Sequence, residues 1–484
     1  MNPRPALRLP SLLGLAGLAL ARLLSAQVER VDELRFPVLP PLAIPTVERH
    51  ALANGMVVLF APDHELGLVS ATLMLPTGTA SEPAEKVGLV RLGAELLRTG
   101  GAGERSADEL DELLDAHGAE IATEADPDSL TVELSCLAPD FPQMLGVLAD
   151  LLRRPRFAPD RLEIARGQLE AEIARQNDDP GQITGRELDE ILYGEASPYA
   201  RQATYATLGA IRREDLLAWQ AQQLHPNGLV MGLSGDFDPA QALKLLEIAF
   251  GGWPKGPAQP RRRIDQFPAP KPGVYQVALD DVNQSSIAMG YFGLRKDNPD
   301  YYAVEVLNQV LGGGLGSRLF SNVRSKKGLG YSVGGRVGSA YNRPGEAYFS
   351  LLTKTATTGA GIAAVLGELD GMLTSPPSAE EIGRAKESIL NSFIFRFDSP
   401  RRILVQKLLY EFYGYPSDWL EKYRTGLEGV TAQQVAAAAR KYLRTKDLAI
   451  LVVGPSQGLD RPLSDFGPVT QRDISIPPPP EAKP

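Results

Sequence analysis

IRREDLLAWQAQQLHPNGLVMGLSG, residues 211–235, and VTAQQVAAAARKYLRTKDLAILVVG, residues 430–454, decide the fold. The two segments align without a gap at a constant offset of 219 residues (430 against 211). In this register Leu216 matches Val435, Leu224 matches Leu443 and Leu229 matches Leu448. Each segment reads as an amphipathic helix, a polar turn and an apolar strand that closes on glycine, Gly235 or Gly454. A unit repeated at the end of each half of a long chain points to internal duplication. Each half is then expected to be an α+β domain, with helices packed on a largely antiparallel sheet.

The text between the repeats supports a division into two. Residues 253–273, WPKGPAQPRRRIDQFPAPKPG, carry six prolines and a basic triplet, which marks a linker and not the interior of an element. Residues 27–252 form the first domain of this reading and 274–456 the second. The tail, 457–484, has four consecutive prolines from Pro477 and is expected to be disordered at its end. Within the first domain, strands around the Asn54-Gly55 turn predict a hairpin. Periodicity predicts helices near 88–98, 106–117, 141–153, 159–176 and 212–223.

The first 26 residues read as an export signal. Arg4 and Arg8 precede a mostly apolar run from Leu9 to Ala21, with cleavage expected after Ala21 or Ala26. The run is short for a membrane-spanning helix of about 20 residues. A membrane association is expected only if the segment stays uncut, and the mature chain is expected in the periplasm or outside the cell. The formal charge of −9 argues against a nucleic-acid partner, and no basic patch interleaved with aromatics stands out. Cys136 is the single cysteine, so no internal disulfide can form, and it is expected to be a small buried hydrophobe on a strand.

Residues 88–101, GLVRLGAELLRTGG, have the frame of an inverted zinc-peptidase helix, H-x-x-E-H, without its metal ligands. In that motif two histidines four apart hold zinc from one helix face, and the Glu beside the second activates water. Here Arg91 and Glu95 stand at the histidine positions and Ala94 at the position of the base. The only histidines are His50, His64, His117 and His225, and no two of them have ligand spacing.

The chain resembles the pitrilysin/insulinase family of zinc peptidases, especially its short two-domain bacterial branch. In the first half the resemblance rests on the Gly88-Leu89 helix frame, residues 166–174 with Asp178-Asp179-Pro180, Ser197-Pro198-Tyr199, Pro226-Asn227 and Gly235-Asp236. In the second it rests on residues 311–320, LGGGLGSRLF, and 323–332, VRSKKGLGYS. The resemblance covers nearly the whole mature chain and implies a half-clamshell of two homologous domains. It places Glu172 where the family has a third zinc ligand. An ion pair of Arg91 with Glu172 or with Glu95 would fill the old site, unless all three are separate surface charges. Glu95 and Glu172 could instead be unorthodox metal ligands.

The resemblance further implies that Arg324 and Tyr331 are substrate and oxyanion contacts. Arg supplies a fixed forked charge, and a phenol donates one hydrogen bond to developing negative charge. Gly312, Gly313, Gly314 and Gly316 lack the G-K-[ST] ending of a phosphate loop and read as a substrate-side loop or a simple tight turn. Together these features resemble the non-zinc subunit of a peptide-degrading heterodimer. Zinc is then expected on an insulinase-family paralogue and not on this chain, with an extended peptide as substrate. A peptide-binding or scaffold protein without a catalytic role is the other class left open.

Overall fold

The computed structural model describes residues 47–257, 262–394 and 399–479. The export signal read over 1–26 and the start of the lead-in lie outside the described residues.

The first half builds one six-stranded sheet from β1 (Glu48–Ala51), β2 (Val57–Pro62), β3 (Leu68–Leu75), β4 (Glu120–Ala125), β5 (Leu130–Leu137) and β6 (Val230–Gly235). Their order is β1-β2-β6-β3-β5-β4, with only β2 and β6 parallel. The second half supplies β7 (Gly273–Ala278), β8 (Gln284–Phe292), β9 (Leu294–Arg295), β10 (Ser332–Arg336), β11 (Ser339–Ala340), β12 (Glu346–Lys354), β13 (Ala449–Gly454) and β14 (Val469–Gln471). Its six-stranded sheet has the order β10-β12-β8-β13-β7-β14, while β9 and β11 pair separately. Without the outer strands β1 and β14, the two sheets have one topology. β2-β6-β3-β5-β4 matches β7-β13-β8-β12-β10 in order, and β13 runs parallel to β7 as β6 does to β2. The repeated strands of the sequence, β6 and β13, hold the same central place.

Strand sequences follow what each strand must bury. β5 alternates buried and half-exposed residues, the pattern of a sheet covered on one side there. β13 is buried at all six positions and is continuously apolar, which requires cover on both faces.

That second cover comes from the opposite half. The helix Pro180–Tyr193 places Ile183, Leu188 and Leu192 against Val277, Ala288, Phe292, Leu451 and Val453 of the second sheet. The helix Pro400–Tyr413 places Leu404, Leu408 and Phe412 against Leu59, Ala61, Met74 and Val230 of the first. Both helices have 14 residues, proline at the first position, a capping side chain before it (Asp179 or Ser399) and glycine after the final tyrosine. Each also seats a leucine over a strand glycine. A Cβ on Gly232 would meet Leu404 Cγ at 3.1 Å, and one on Gly290 would meet Leu192 Cδ1 at 3.1 Å. The two halves repeat one α+β topology, as the sequence predicted, and each covers the sheet of the other with one helix, so both fall within one compact unit.

Polar contacts close the same seam. Asp128 is ion-paired with Arg343 and accepts from the Tyr199 hydroxyl at 2.7 Å. Tyr193 donates to Glu346 at 2.6 Å. The tail is not loose at its start: β14 pairs with β7, and Arg472 then reaches Glu187, Glu190 and Glu195 at 3.0, 2.6 and 2.8 Å. Asn177 donates to the Ile474 carbonyl at 2.7 Å, and Ile476 packs on the first core. The end of the tail, 480–484, where disorder is expected, lies outside the described residues.

Candidate functional site

The frame read at residues 88–101 is a helix, Leu89–Thr99. Gly88 offers no capping side chain, and the cap comes from six residues upstream. The Glu82 carboxylate accepts from the backbone N–H of Gly88 at 2.8 Å and of Val90 at 3.0 Å. Burial pushes this carboxyl up to about 7, against the opposing pull of those hydrogen bonds. The sequence reading missed Glu82; the available signal was a helix start with no Ser, Thr, Asp or Asn at its cap.

Arg91 and Glu95 are exposed on this helix and Ala94 is buried. The neighbouring helix Pro159–Arg175 brings Glu172 to Arg91, with Nη2 and Oε2 2.7 Å apart. Of the two ion pairs open from the sequence, the one across helices is formed. It does not fill the old site: both side chains are about half exposed (49% and 60%), and a pocket of about 350 Å³ remains. Arg91, Ala94, Glu95, Thr123, Gln168 and Glu172 line it, beside the edge strand β4.

These residues do not fit zinc. A guanidinium is a permanent cation without a free lone pair, and here it occupies the Glu172 carboxylate. Among the described residues no three His, Cys, Asp or Glu side chains group as metal ligands, so Glu95 and Glu172 are not joined by a third. The histidines are dispersed: His64 faces Asp236 at 2.6 Å, His117 faces Asp140 at 2.9 Å, His50 faces Glu48 at 3.4 Å, and His225 meets the Gln222 carbonyl at 3.1 Å. Cys136 is buried on β5, and burial raises its thiol to about 11, which suits an inert packing residue.

Arg324 lies on the π-helical segment Leu319–Lys326, its guanidinium 4.6 Å from the Phe320 ring centroid. Tyr331 immediately precedes β10 and is 76% exposed, so it is not a buried strand ring. Gly312 ends the helix Tyr301–Gly312, and Gly313, Gly314 and Gly316 make the turn after it. Gly312 and Gly313 line a pocket of about 710 Å³ with Gly334, Gly335 and Arg336 of β10. Gly314 and Gly316 are not among its lining residues.

A further signal escaped the overall charge. Between Glu305 and Glu346 the chain has no Asp or Glu, but it has Arg318, Arg324, Lys326, Lys327, Arg336 and Arg343. A chain of net charge −9 thus holds a segment of opposite sign, which reading charge in windows would have found.

The fold and this site define a duplicated α+β scaffold in which no group of side chains that could hold a metal ion is found among the described residues. Two family models match in succession, Insulinase (Peptidase family M16) over residues 57–202 and Peptidase M16 inactive domain over 210–389. The chain belongs to the M16 insulinase family. It is 25% identical over 421 residues to a Bacillus subtilis protein named uncharacterized zinc protease YmxG, covering 85% of this chain and 98% of that one. It is 24% identical over 402 residues to the Helicobacter pylori protein named non-peptidase homolog YmxG, covering 82% and 91%. The crystal structure of a peptidase M16 inactive domain from Pseudomonas fluorescens aligns with a TM-score of 0.78 at 26% identity, covering 86% of this chain and 99% of that one.

Proposed function

We propose that this chain is an exported, non-metallated subunit that completes the active site of a zinc-bearing M16 paralogue. The observation that carries the reading is a contrast within one chain. The zinc-helix position is occupied by the Arg91–Glu172 ion pair, while Arg324 and Tyr331 stand exposed with their donors uncommitted. A site that lacks its metal yet presents a charge-stabilising pair suits a division of labour between two chains.

In the assembled pair, zinc on the paralogue would supply the Lewis acid and the activated water. The residues of this chain would act on bound peptide. Arg324, a fork of donors held over the Phe320 ring, would hold the substrate backbone. The Tyr331 hydroxyl would donate to the oxygen on which negative charge develops; one such donor is worth about 10²–10³ in kcat. Tyr331→Phe should accordingly lower turnover of the mixed complex on that order without weakening assembly. Unchanged turnover would remove Tyr331 from the reaction. A peptide-holding role without catalysis shares the same surface; it predicts unchanged turnover by the paralogue when this chain is added.

A further inference from the structure

We propose that a small ring-bearing carboxylate binds in a pocket on the seam between the two halves, closed by the end of the helix Pro400–Tyr413. The inference goes beyond the complementation reading and does not depend on it.

The pocket has a volume of about 330 Å³ and shares no lining residue with the pockets at Arg91 or beside Gly312. Ligand sites of small molecules begin at about 300 Å³. Pro76, Pro127, Leu229 and Val230 of the first half wall it, and Phe412 and Tyr413 of the second close it. Gly228, at a φ of +100°, lets one wall fold tightly, since a Cβ there would meet Pro76 Cγ at 3.1 Å. The two rings are fixed before any ligand arrives. Phe412 meets Tyr413 edge to face with centroids 4.9 Å apart, and Tyr413 stacks on Tyr341 at 4.9 Å and 4°. Apolar, rigid walls of this kind suit a flat ring.

The polar groups of the pocket divide unequally. Its carboxylates are taken, Asp128 by Arg343 and by the Tyr199 hydroxyl at 2.7 Å, Glu411 by Arg49 at 3.0 and 3.1 Å. Its donors are open. Asn342 is only 7% exposed, and its amide oxygen accepts from Arg343 at 3.3 Å, yet its amide nitrogen donates to no group among the described residues. The Tyr413 hydroxyl also has no hydrogen-bond partner among them, and burial pushes it up to about 12, so it stays a donor at neutral pH. Arg262, exposed at the mouth, donates from Nη1 to the Ala80 carbonyl at 3.3 Å and pairs with no carboxylate among the described residues. A nearly buried amide left without an acceptor costs free energy. A carboxylate accepts from the amide and the phenol and meets the guanidinium as an opposite charge. A cationic ligand finds no carboxylate that is not already neutralised, and an inorganic anion would leave the apolar walls uncovered.

The test is isothermal titration calorimetry on the full chain with naphthoate as the probe. We expect saturable binding at one site, at least tenfold tighter than for naphthamide, which has the rings without the charge, or for acetate, which has the charge without the rings. Arg262→Gln and Asn342→Leu should each weaken it fivefold or more with unchanged circular dichroism. Lys327→Gln, which removes a surface cation outside the pocket, should leave it as it is. Because both halves line the pocket, naphthoate should also raise the melting temperature of the parent, and the double variant of Arg262 and Asn342 should lose that rise. No saturable binding, equal affinity for naphthamide or acetate, or an equal loss from Lys327→Gln would each overturn the proposal. The zinc-bearing paralogue is absent from the experiment, so its outcome and that of complementation are read separately.

Discussion

Arg91 Nη2 lies 2.7 Å from Glu172 Oε2, so the two residues that the family resemblance sets at metal-ligand positions form an ion pair with each other. Both side chains are about half exposed, and such pairs contribute only about 0–1 kcal/mol. The pair is therefore not needed to hold the fold. Arg91→His, Ala94→Glu and Glu95→His together should therefore restore a ligand set with Glu172 and give near-stoichiometric zinc by atomic absorption. A folded triple variant that binds no zinc would show that this helix is not the family's metal helix.

The exchanged helices make the two halves one folding unit. Leu192→Ala and Leu404→Ala each remove a leucine seated over a strand glycine, and each should destabilise the chain by about 2–5 kcal/mol. Calorimetry should show a single transition in the parent and in both variants. Two resolved transitions would contradict the interlocked arrangement.

How much of this was legible is clearest in those same helices. The strand of each repeat unit was readable because apolar runs and turn residues are local signals, and so was the hairpin at Asn54-Gly55. In Pro180–Tyr193, Ile183, Leu188 and Leu192 announce an apolar face, but nothing in their spacing says that it covers the sheet of the other half. The start of the tail shows the same limit: its composition says nothing of the distant partners that Arg472 and Ile474 find. At the site, the residue types standing at Arg91, Ala94, Glu95, Arg324 and Tyr331 could be read by position. The exposure of Tyr331, the cross-helix partner of Arg91 and the cap by Glu82 needed the fold.

Arg472 should be the residue that secures the tail. It faces three carboxylates, of which Glu187 is only 4% exposed. Removing one partner from a buried ion pair costs about 3–5 kcal/mol. Arg472→Ala should fall at the low end, because Arg186 also lies 3.4 Å from Glu187. Urea unfolding at neutral pH measures it, and a loss below about 1 kcal/mol would mean that the tail does not brace the seam.

Asp189 gives the seam a pH dependence. Burial, reinforced by Glu346, raises its carboxyl from about 4 to about 7, outweighing the pull of Arg343. The folded chain thus holds this proton more tightly than the unfolded one. The resulting stability is full below about pH 4 and is lost as the pH rises through 7. Asp189→Asn, which mimics the protonated form, should match the parent at pH 4 and exceed it at pH 8 by on the order of 4 kcal/mol. Equal differences at the two pH values would refute the assignment.

The most direct measurement is peptidase activity on an unstructured peptide, with zinc content, for this chain alone and mixed with its zinc-bearing paralogue. The account predicts no zinc and no cleavage for the chain alone, and cleavage in the mixture faster than by the paralogue by itself. Zinc and cleavage in this chain alone would contradict it.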